Sequence, residues 1–198
     1  VVCYPSYDIL FTRGGSLMFR QATVADAKSG LAIINIVFEE MEMPLFQKIP
    51  LEDLFSILEQ AFAMPEYRYS YANTLVYEED GQVLGIVVGF PEEKEAHIDD
   101  ALAPLFPQIG LPETTRFFTD KEAQPGEWYL DTLAVAEHAQ GHGVGTKLLK
   151  ALPDYLKARG EKKISLSVDL QNPGAKKLYE RMGFVKQGDL MIGDHQYD

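Results

Sequence analysis

Hydrophobic and polar positions along the first half of the chain alternate between a strand pattern and a helix pattern. Residues 18–22 predict a short strand, and Thr23 then stands three residues before Asp26, the spacing of a capping box at a helix start. Apolar side chains three and four residues apart continue that helix, and the same spacing recurs in 51–62. This part of the sequence therefore predicts one strand followed by two helices.

The remaining periodic segments predict a hairpin and then alternating strands and helices. Two β-rich runs, 74–77 and 83–90, flank Asp80-Gly81, a pair that supplies the positive φ of a tight turn. Beyond them the pattern predicts, in order, a strand at 128–135, a helix at 146–152 with Pro153 as a potential kink, a strand at 164–168, a helix at 173–182 and an extended region at 183–198. Helical crossovers together with a hairpin predict an α/β fold with a mixed sheet.

Two segments lack this periodicity. Residues 1–17 predict an N-terminal extension, and residues 91–126 predict a long, acidic, proline-containing insertion between strands, whose 98–106 portion has a helical pattern. A loop of this length inside a compact domain tends to be functional or mobile. The chain has 198 residues, 46% of them hydrophobic, which suits one core, so we expect 18–198 to form a single domain.

Charge and cysteine content exclude several classes of partner. A formal charge of −12 opposes phosphate neutralisation, so we expect neither nucleic acid nor an anionic membrane as a partner. One cysteine rules out an intrachain disulfide and a cysteine-rich zinc site, and His138 with His142 lack the glutamate of H-E-x-x-H, so we expect no metal. Without an apolar run of membrane-spanning length or a basic, apolar leader, the sequence predicts a cytoplasmic protein.

A glycine-rich turn between the predicted strand at 128–135 and the following helix is a candidate phosphate site. Backbone amides at a helix N-terminus attract anions, and glycines at 141, 143 and 145 allow a close approach. Thr146 breaks the dinucleotide fingerprint G-x-G-x-x-G/A, and Gly-Thr-Lys at 145–147 differs from the Gly-Lys-Ser/Thr end of a Walker loop. The turn therefore belongs to another kind of phosphate site, or to none.

Two further patterns narrow the interpretation. Gln140, Gly143 and Gly145 form Q-x-x-G-x-G, and N-x-x-A-x-x-L-Y-x-x-x-G-F runs from Asn172 to Phe184 after the next predicted strand. Each alone has a structural explanation, since Asn before Pro is a good helix cap and glycine-rich helix starts are common. Together, in this order and on these elements, they make the chain resemble the GNAT family of acetyltransferases, whose (Q/R)-x-x-G-x-(G/A) segment wraps the pyrophosphate of acetyl-CoA.

The resemblance implies the GNAT fold, an α/β architecture with a mixed central sheet flanked by helices on both faces, and acetyl-CoA as co-substrate. Tyr179 matches the family tyrosine that commonly protonates the departing sulfur, although helices often bury a tyrosine for packing alone. The family's strand before the turn splays from its neighbour to receive the pantetheine. The residues implied to bind the coenzyme are Leu133, Ala134, Val135, Gln140, Gly141, His142, Gly143, Val144, Gly145, Thr146 and Asn172.

Direct acetyl transfer also needs a base, and two carboxylates are candidates. Glu127 and Asp131 lie four residues apart, hence on one face of the predicted strand, where either could take the amine proton directly or through water. The competing interpretations are surface solvation of Glu127 and a structural hydrogen bond of Asp131.

The implied acceptor is a primary amine on a small molecule or a protein N-terminus. The acidic 91–126 segment and the overall charge favour a cationic amine such as a polyamine or an aminoglycoside-like amine, although acidic proteins commonly use their charge only for solubility. For the function, one alternative stays open: a non-catalytic acyl-CoA-binding sensor of the same fold. For the acidic 91–126 segment, the alternatives to binding the acceptor are a solvated surface and a contact in a homodimer.

Overall fold

The computed structural model describes residues 17–40, 46–193 and 195–198, so nearly all of the predicted extension at 1–17 lies outside the described residues. Five strands form one sheet in sequence order, with antiparallel neighbours except for the last pair, which is parallel. They are β1 (Leu17–Gln21), β2 (Thr74–Glu79), β3 (Gln82–Pro91), β4 (Trp128–Val135) and β5 (Ile164–Ser165). The predicted mixed sheet and the hairpin at Asp80-Gly81 are confirmed.

Four helices pack around this sheet: α1 (Ala27–Glu40), α2 (Leu51–Phe62), α3 (Val144–Lys157) and α4 (Pro173–Arg181). Helix α1 contacts α2, β3 and β4, whereas α3 contacts β2, β3 and β4. Val144 and Leu148 of α3 lie directly over Gly85 of β3, where a side chain would meet them. The expected α/β architecture with flanking helices on both faces is confirmed. A second sheet pairs β6 (Leu190–Ile192) with β7 (His195–Tyr197).

The predicted capping box forms at the entry to α1. The carboxylate of Asp26 accepts hydrogen bonds from the amide and the hydroxyl of Thr23, at 2.7 and 2.9 Å. Arg20 of β1 pairs with the same carboxylate and with Glu78 of β2. Asp26 thus both caps the start of the helix and anchors it to the edge of the sheet.

Three local predictions need correction. Residues 98–106 do not form an α-helix, because Pro104 lacks the amide hydrogen that a helix interior needs. A 3₁₀ turn at Asp100–Leu102 and the start of another at Phe106–Ile109 stand there instead. Pro153 does not break α3, which continues to Lys157. The strand predicted at 164–168 is paired over two residues only, and this shortening shapes the candidate site.

The long connection between β3 and β4 contributes to the core. Ile98, Leu102, Phe106 and Ala123 are buried within it, each at most 2% exposed. Its acidic side chains therefore project from a backbone that is held in place by apolar contacts, and the segment can position functional groups.

Candidate active site

Strand β4 has an open edge over most of its length. It pairs with β5 only through Trp128 opposite Ile164 and Tyr129 opposite Ser165. From Leu130 to Val135, the described part of the chain supplies no strand on that side, while β3 pairs along the other side. The backbone groups that point to this edge are thus available to a ligand, apart from the carbonyl of Val135, which accepts from the side chain of Gln140. The resemblance predicts a parting of strands here, and the coenzyme role that it implies for Leu133, Ala134 and Val135 stays a prediction.

The glycine-rich turn ends where this open edge ends. Gly141 and Gly143 have φ of 76° and 79°, the left-handed region that favours glycine, and α3 begins at the next residue. The amide of Lys147 donates to the carbonyl of Gly143 at 3.0 Å. The preceding amides, Val144 to Thr146, form the first helical turn, where amides have no acceptor within the helix. Together with the helix dipole, such amides are a candidate site for an anion.

Two predicted coenzyme residues of the turn support the turn itself. The side-chain amide of Gln140 donates to the carbonyl of Val135 at 3.2 Å, and Nδ1 of His142 lies 2.8 Å from the carbonyl of Gln140. Both side chains are exposed. These contacts tie the turn to the end of β4, which orients the amides of the helix start.

Beneath the turn, α3, α4 and β4 meet at Gly145. A Cβ placed there would lie 3.5 Å from Leu178 and 3.8 Å from Val135. Asn172 caps α4, because its side-chain oxygen accepts from the amide of Ala175 at 3.0 Å. Its observed contact is the structural one, and its coenzyme role stays a prediction.

Tyr179 lies on α4 and lines a cavity of about 350 Å³. Its ring packs on Phe184 at 5.7 Å between centroids, and burial raises the pKa of its hydroxyl to about 12. The hydroxyl therefore carries its proton throughout the neutral pH range. Glu127, one of the two predicted bases, lines the same cavity.

The other predicted base, Asp131, is engaged elsewhere, and the structure does not support its assignment. Its carboxylate forms an ion pair with Arg68, which is 3% exposed and also pairs with Asp99 at 3.0 Å. The second oxygen of Asp131 accepts from the hydroxyl of Thr132 at 2.9 Å. Removing a carboxylate from such a buried pair would leave an uncompensated charge, so the observed role of Asp131 is structural.

Asp131 also marks an irregularity of β4. Val88 of β3 stands opposite Thr132, but the next residue, Gly89, stands opposite Leu130, so Asp131 is an extra residue in the ladder. The Arg68 guanidinium that binds it lies over the rings of Phe90 and Phe118, at 5.2 and 4.7 Å from their centroids. The bulge is therefore fixed by a buried charge.

One carboxylate that sequence reasoning missed lines the same cavity as Tyr179. Glu122 comes from the segment between β3 and β4, and the hydroxyl of Tyr129 donates to its carboxylate. Burial, followed by the negative charge of Asp131, raises the pKa of Glu122 to about 7. Its segment has no periodic pattern, so the sequence carried no signal for its position except its acidity and its nearness to Trp128.

A metal centre and a membrane-spanning helix are both absent from the described ranges. Within 17–40, 46–193 and 195–198, no three His, Cys, Asp or Glu side chains gather closely enough to hold a metal ion. Over the same residues, none of the helices has the length and apolarity needed to span a bilayer.

Comparison with known proteins identifies the family. The model of the Acetyltransferase (GNAT) family matches residues 37–184, which include the open edge, the turn and Tyr179. The chain therefore belongs to the GNAT family of acetyltransferases. A crystal structure described as an acetyltransferase is 41% identical, with a TM-score of 0.82 over 91% of this chain and 96% of that one.

Curated relatives match over shorter stretches. N-alpha-acetyltransferase 30 of Schizosaccharomyces pombe is 38% identical over 58 residues, 29% of this chain and 39% of that protein. Probable spermine N(1)-acetyltransferase of Bacillus subtilis subsp. natto is 39% identical over 72 residues, 36% of this chain and 47% of that protein. The chain thus spans less than half the length of these curated relatives.

Replacing Glu122 by Gln is expected to stabilise the protein at alkaline pH. The carboxyl has a pKa of about 7 in the folded chain against 4.5 for a free side chain, so the folded state binds more protons between these values. The free energy of unfolding therefore falls as pH rises through this window. Gln does not titrate, so the variant does not lose this stability. We expect the free energy of unfolding of the variant to exceed that of the unsubstituted protein by about 1–3 kcal/mol at pH ~8 and to equal it at pH ~4, since one pKa unit is worth roughly 1.4 kcal/mol.

Urea unfolding at both pH values measures this effect. Glu93→Gln is the control, because it removes an exposed carboxylate from the same segment. An identical stability change for Glu122→Gln at the two pH values would contradict the raised pKa.

Proposed function

We propose that this protein transfers an acetyl group from acetyl-CoA to a primary amine, by direct attack while both substrates are bound. One observation carries the proposal: the open edge of β4 runs from the anion site at the start of α3 to the cavity that contains Tyr179. The six residue steps from Val135 back to Tyr129 span about 20 Å at roughly 3.3 Å per residue. A long, extended acyl carrier with a diphosphate at one end suits such a track.

The coenzyme residues follow from this track. The amides of Val144 to Thr146 would hold the diphosphate, with Gly141 and Gly143 leaving the approach free of side chains. The pantetheine amides would bond the backbone groups of β4 that point to the open edge, namely those of Leu133 and the amide of Val135, as an added strand does. Ala134 stands opposite Ile86 in a hydrogen-bonded pair, so its own backbone groups face β3, and it would contact the pantetheine only through its neighbours. The thioester would then lie beside Tyr179.

Tyr179 is proposed to protonate the sulfur as it leaves. Its raised pKa keeps the hydroxyl protonated while the amine attacks, and its place in the cavity suits a donor to the thiolate. Packing against Phe184 holds the ring.

The acceptor is proposed to be a cationic amine, either a small polyamine-like molecule or a protein N-terminus. The names of the two curated relatives point to these classes. The cavity supports the choice, because its lining has more carboxylates than ammonium groups: Glu122, Glu127, Glu180, Asp189 and Asp198 against Lys176 and Lys186. The single cysteine suits a reducing compartment, so we propose the cytoplasm.

Placing a negative charge in the turn is expected to weaken coenzyme binding. Gly143→Asp sets a carboxylate beside the amides proposed to hold the diphosphate, and we expect the Kd for coenzyme A to rise at least about tenfold, or roughly 1.4 kcal/mol. Gly160→Asp is the matched control, since Gly160 follows the other end of α3, is exposed and has a similar φ, 87° against 79°. Calorimetry with coenzyme A measures both.

Equal affinities of the two variants would argue against the turn as the diphosphate site. No binding by the unsubstituted protein would end the proposal altogether. Binding without release of free thiol from acetyl-CoA, across a panel of amines, would favour the alternative of a non-catalytic acyl-CoA sensor.

Removing the hydroxyl of Tyr179 is expected to slow turnover while leaving coenzyme affinity intact. General acid catalysis is commonly worth about 10²-fold or more, so we expect kcat of Tyr179→Phe to fall by at least that order. Tyr155→Phe, which removes a hydroxyl bonded to Gln21 away from the cavity, is the control. Thiol release followed across pH makes the measurement, and unchanged activity at every pH would remove Tyr179 as the acid.

A further inference from the structure

Glu122 reaches the cavity from the segment between β3 and β4, which carries none of the family's motifs. Its backbone is held by another carboxylate of that segment: Glu95 accepts from the amide of Glu122 at 2.7 Å and from that of Ala123 at 3.2 Å. Ala123 is fully buried with Phe90, Ile98 and Tyr129. The position of Glu122 is therefore fixed by the fold.

The side chain is oriented as firmly as the backbone. The hydroxyl of Tyr129 donates to Oε2 of Glu122, and Tyr129 is itself 2% exposed on β4. A carboxylate has about four acceptor positions, so one bond from Tyr129 leaves others for a donor in the cavity. Such a donor would stand between Glu122 and Tyr179, which line the same space.

We infer that Glu122 is the general base that deprotonates the acceptor amine, with Tyr129 and Glu95 as the residues that position it. This inference rests on the proposed acetyl transfer. Glu122 takes the place of Asp131 as the proposed base, because the carboxylate of Asp131 is held by Arg68. Glu122 is preferred to Glu127 because hydrogen bonds anchor both its backbone and its carboxylate at the cavity wall.

The proton balance closes with these two groups. An ammonium acceptor gives one proton to the Glu122 carboxylate, which releases it to water. The neutral amine then forms a C–N bond with the thioester carbonyl carbon as the C–S bond breaks. The sulfur leaves with the proton of Tyr179, and the extra proton on nitrogen restores the Tyr179 hydroxyl. The sum converts ammonium and acetyl-CoA into acetamide, free thiol and one proton.

The surroundings of Glu122 suit a base that works near neutral pH. Burial and Asp131 raise its pKa, whereas the Tyr129 hydrogen bond and the charge of Arg68 lower it, with a balance at about 7. Glu95 faces it from its own segment and adds a smaller rise. The other charged or titratable residues of the cavity lining are Glu127, Lys176, Tyr179, Glu180, Lys186, Asp189 and Asp198, and both lysines pair with Asp198. Burial raises the pKa of the Tyr197 hydroxyl, and Tyr197 lies close enough for the charge of Glu122 to add to that rise. Glu122 is thus protonated and inactive below about pH 7 and able to accept a proton above it.

The test is the pH dependence of kcat/KM with spermine as the amine probe and acetyl-CoA saturating, followed by thiol release. The unsubstituted protein should rise to a plateau above about pH 7. Glu122→Gln should be about 10²-fold slower at pH ~7.5 and should keep rising with pH, because only the fraction of amine that is already neutral can react. Glu93→Gln should behave as the unsubstituted protein.

Two further variants separate the roles. Tyr129→Phe should move the rising limb to higher pH, because the hydrogen bond that favours the charged carboxylate is lost. A limb that disappears in Glu127→Gln but persists in Glu122→Gln would overturn the inference in favour of Glu127.

Failure of the inference and failure of the proposed function are distinguishable. Coenzyme A affinity by calorimetry should be the same in Glu122→Gln and the unsubstituted protein. If the unsubstituted protein releases thiol and Glu122→Gln retains its activity and pH profile, only the base assignment is wrong. If the unsubstituted protein releases no thiol with spermine or any other amine, the proposed function itself is wrong.

Discussion

Strand β4 is paired with β3 along its length apart from the bulge at Asp131, whereas on its other side no strand of the described residues pairs with it after Tyr129. Unpaired backbone groups at a sheet edge can form hydrogen bonds with an extended ligand that has amide groups of its own. The free edge ends at a helix start whose amides favour an anion. A single parting of two strands thus leaves an extended edge that leads to a helix start, and this is the track that we propose for the coenzyme in this member of the GNAT family.

The chemistry at the far end of that track depends on burial. A tyrosine and a carboxyl share one cavity, and removal from water raises the pKa of both, to about 12 and about 7. The two groups therefore hold opposite protonation states in mildly alkaline solution, one ready to donate and the other ready to accept. Their supports differ: Tyr179 is carried by a helix, whereas Glu122 is carried by a connection fixed through Glu95 and Ala123.

Much of the fold could be predicted from the sequence, because periodicity and turn chemistry act locally. Local patterns correctly predicted the hairpin at Asp80-Gly81, the capping box at Thr23 and the limits of α2. The turn at 141–145 and the cap at Asn172 could be predicted for the same reason. The sequence pattern could not predict which side chains contact each other across the fold. The ion pair that engages Asp131 comes from Arg68, and the contact that orients Glu122 comes from Tyr129, neither of which has a local signature.

We propose that coenzyme A lies along the open edge of β4, with its diphosphate at the start of α3. A crystal structure with coenzyme A bound would show whether it does. We expect diphosphate oxygens within hydrogen-bond distance of the amides of Val144 to Thr146, pantetheine amides bonded to the backbone of β4, and the sulfur in the cavity shared by Tyr179 and Glu122. A diphosphate bound elsewhere, or a sulfur on the opposite face of the sheet from Tyr179, would rule out this placement of the coenzyme.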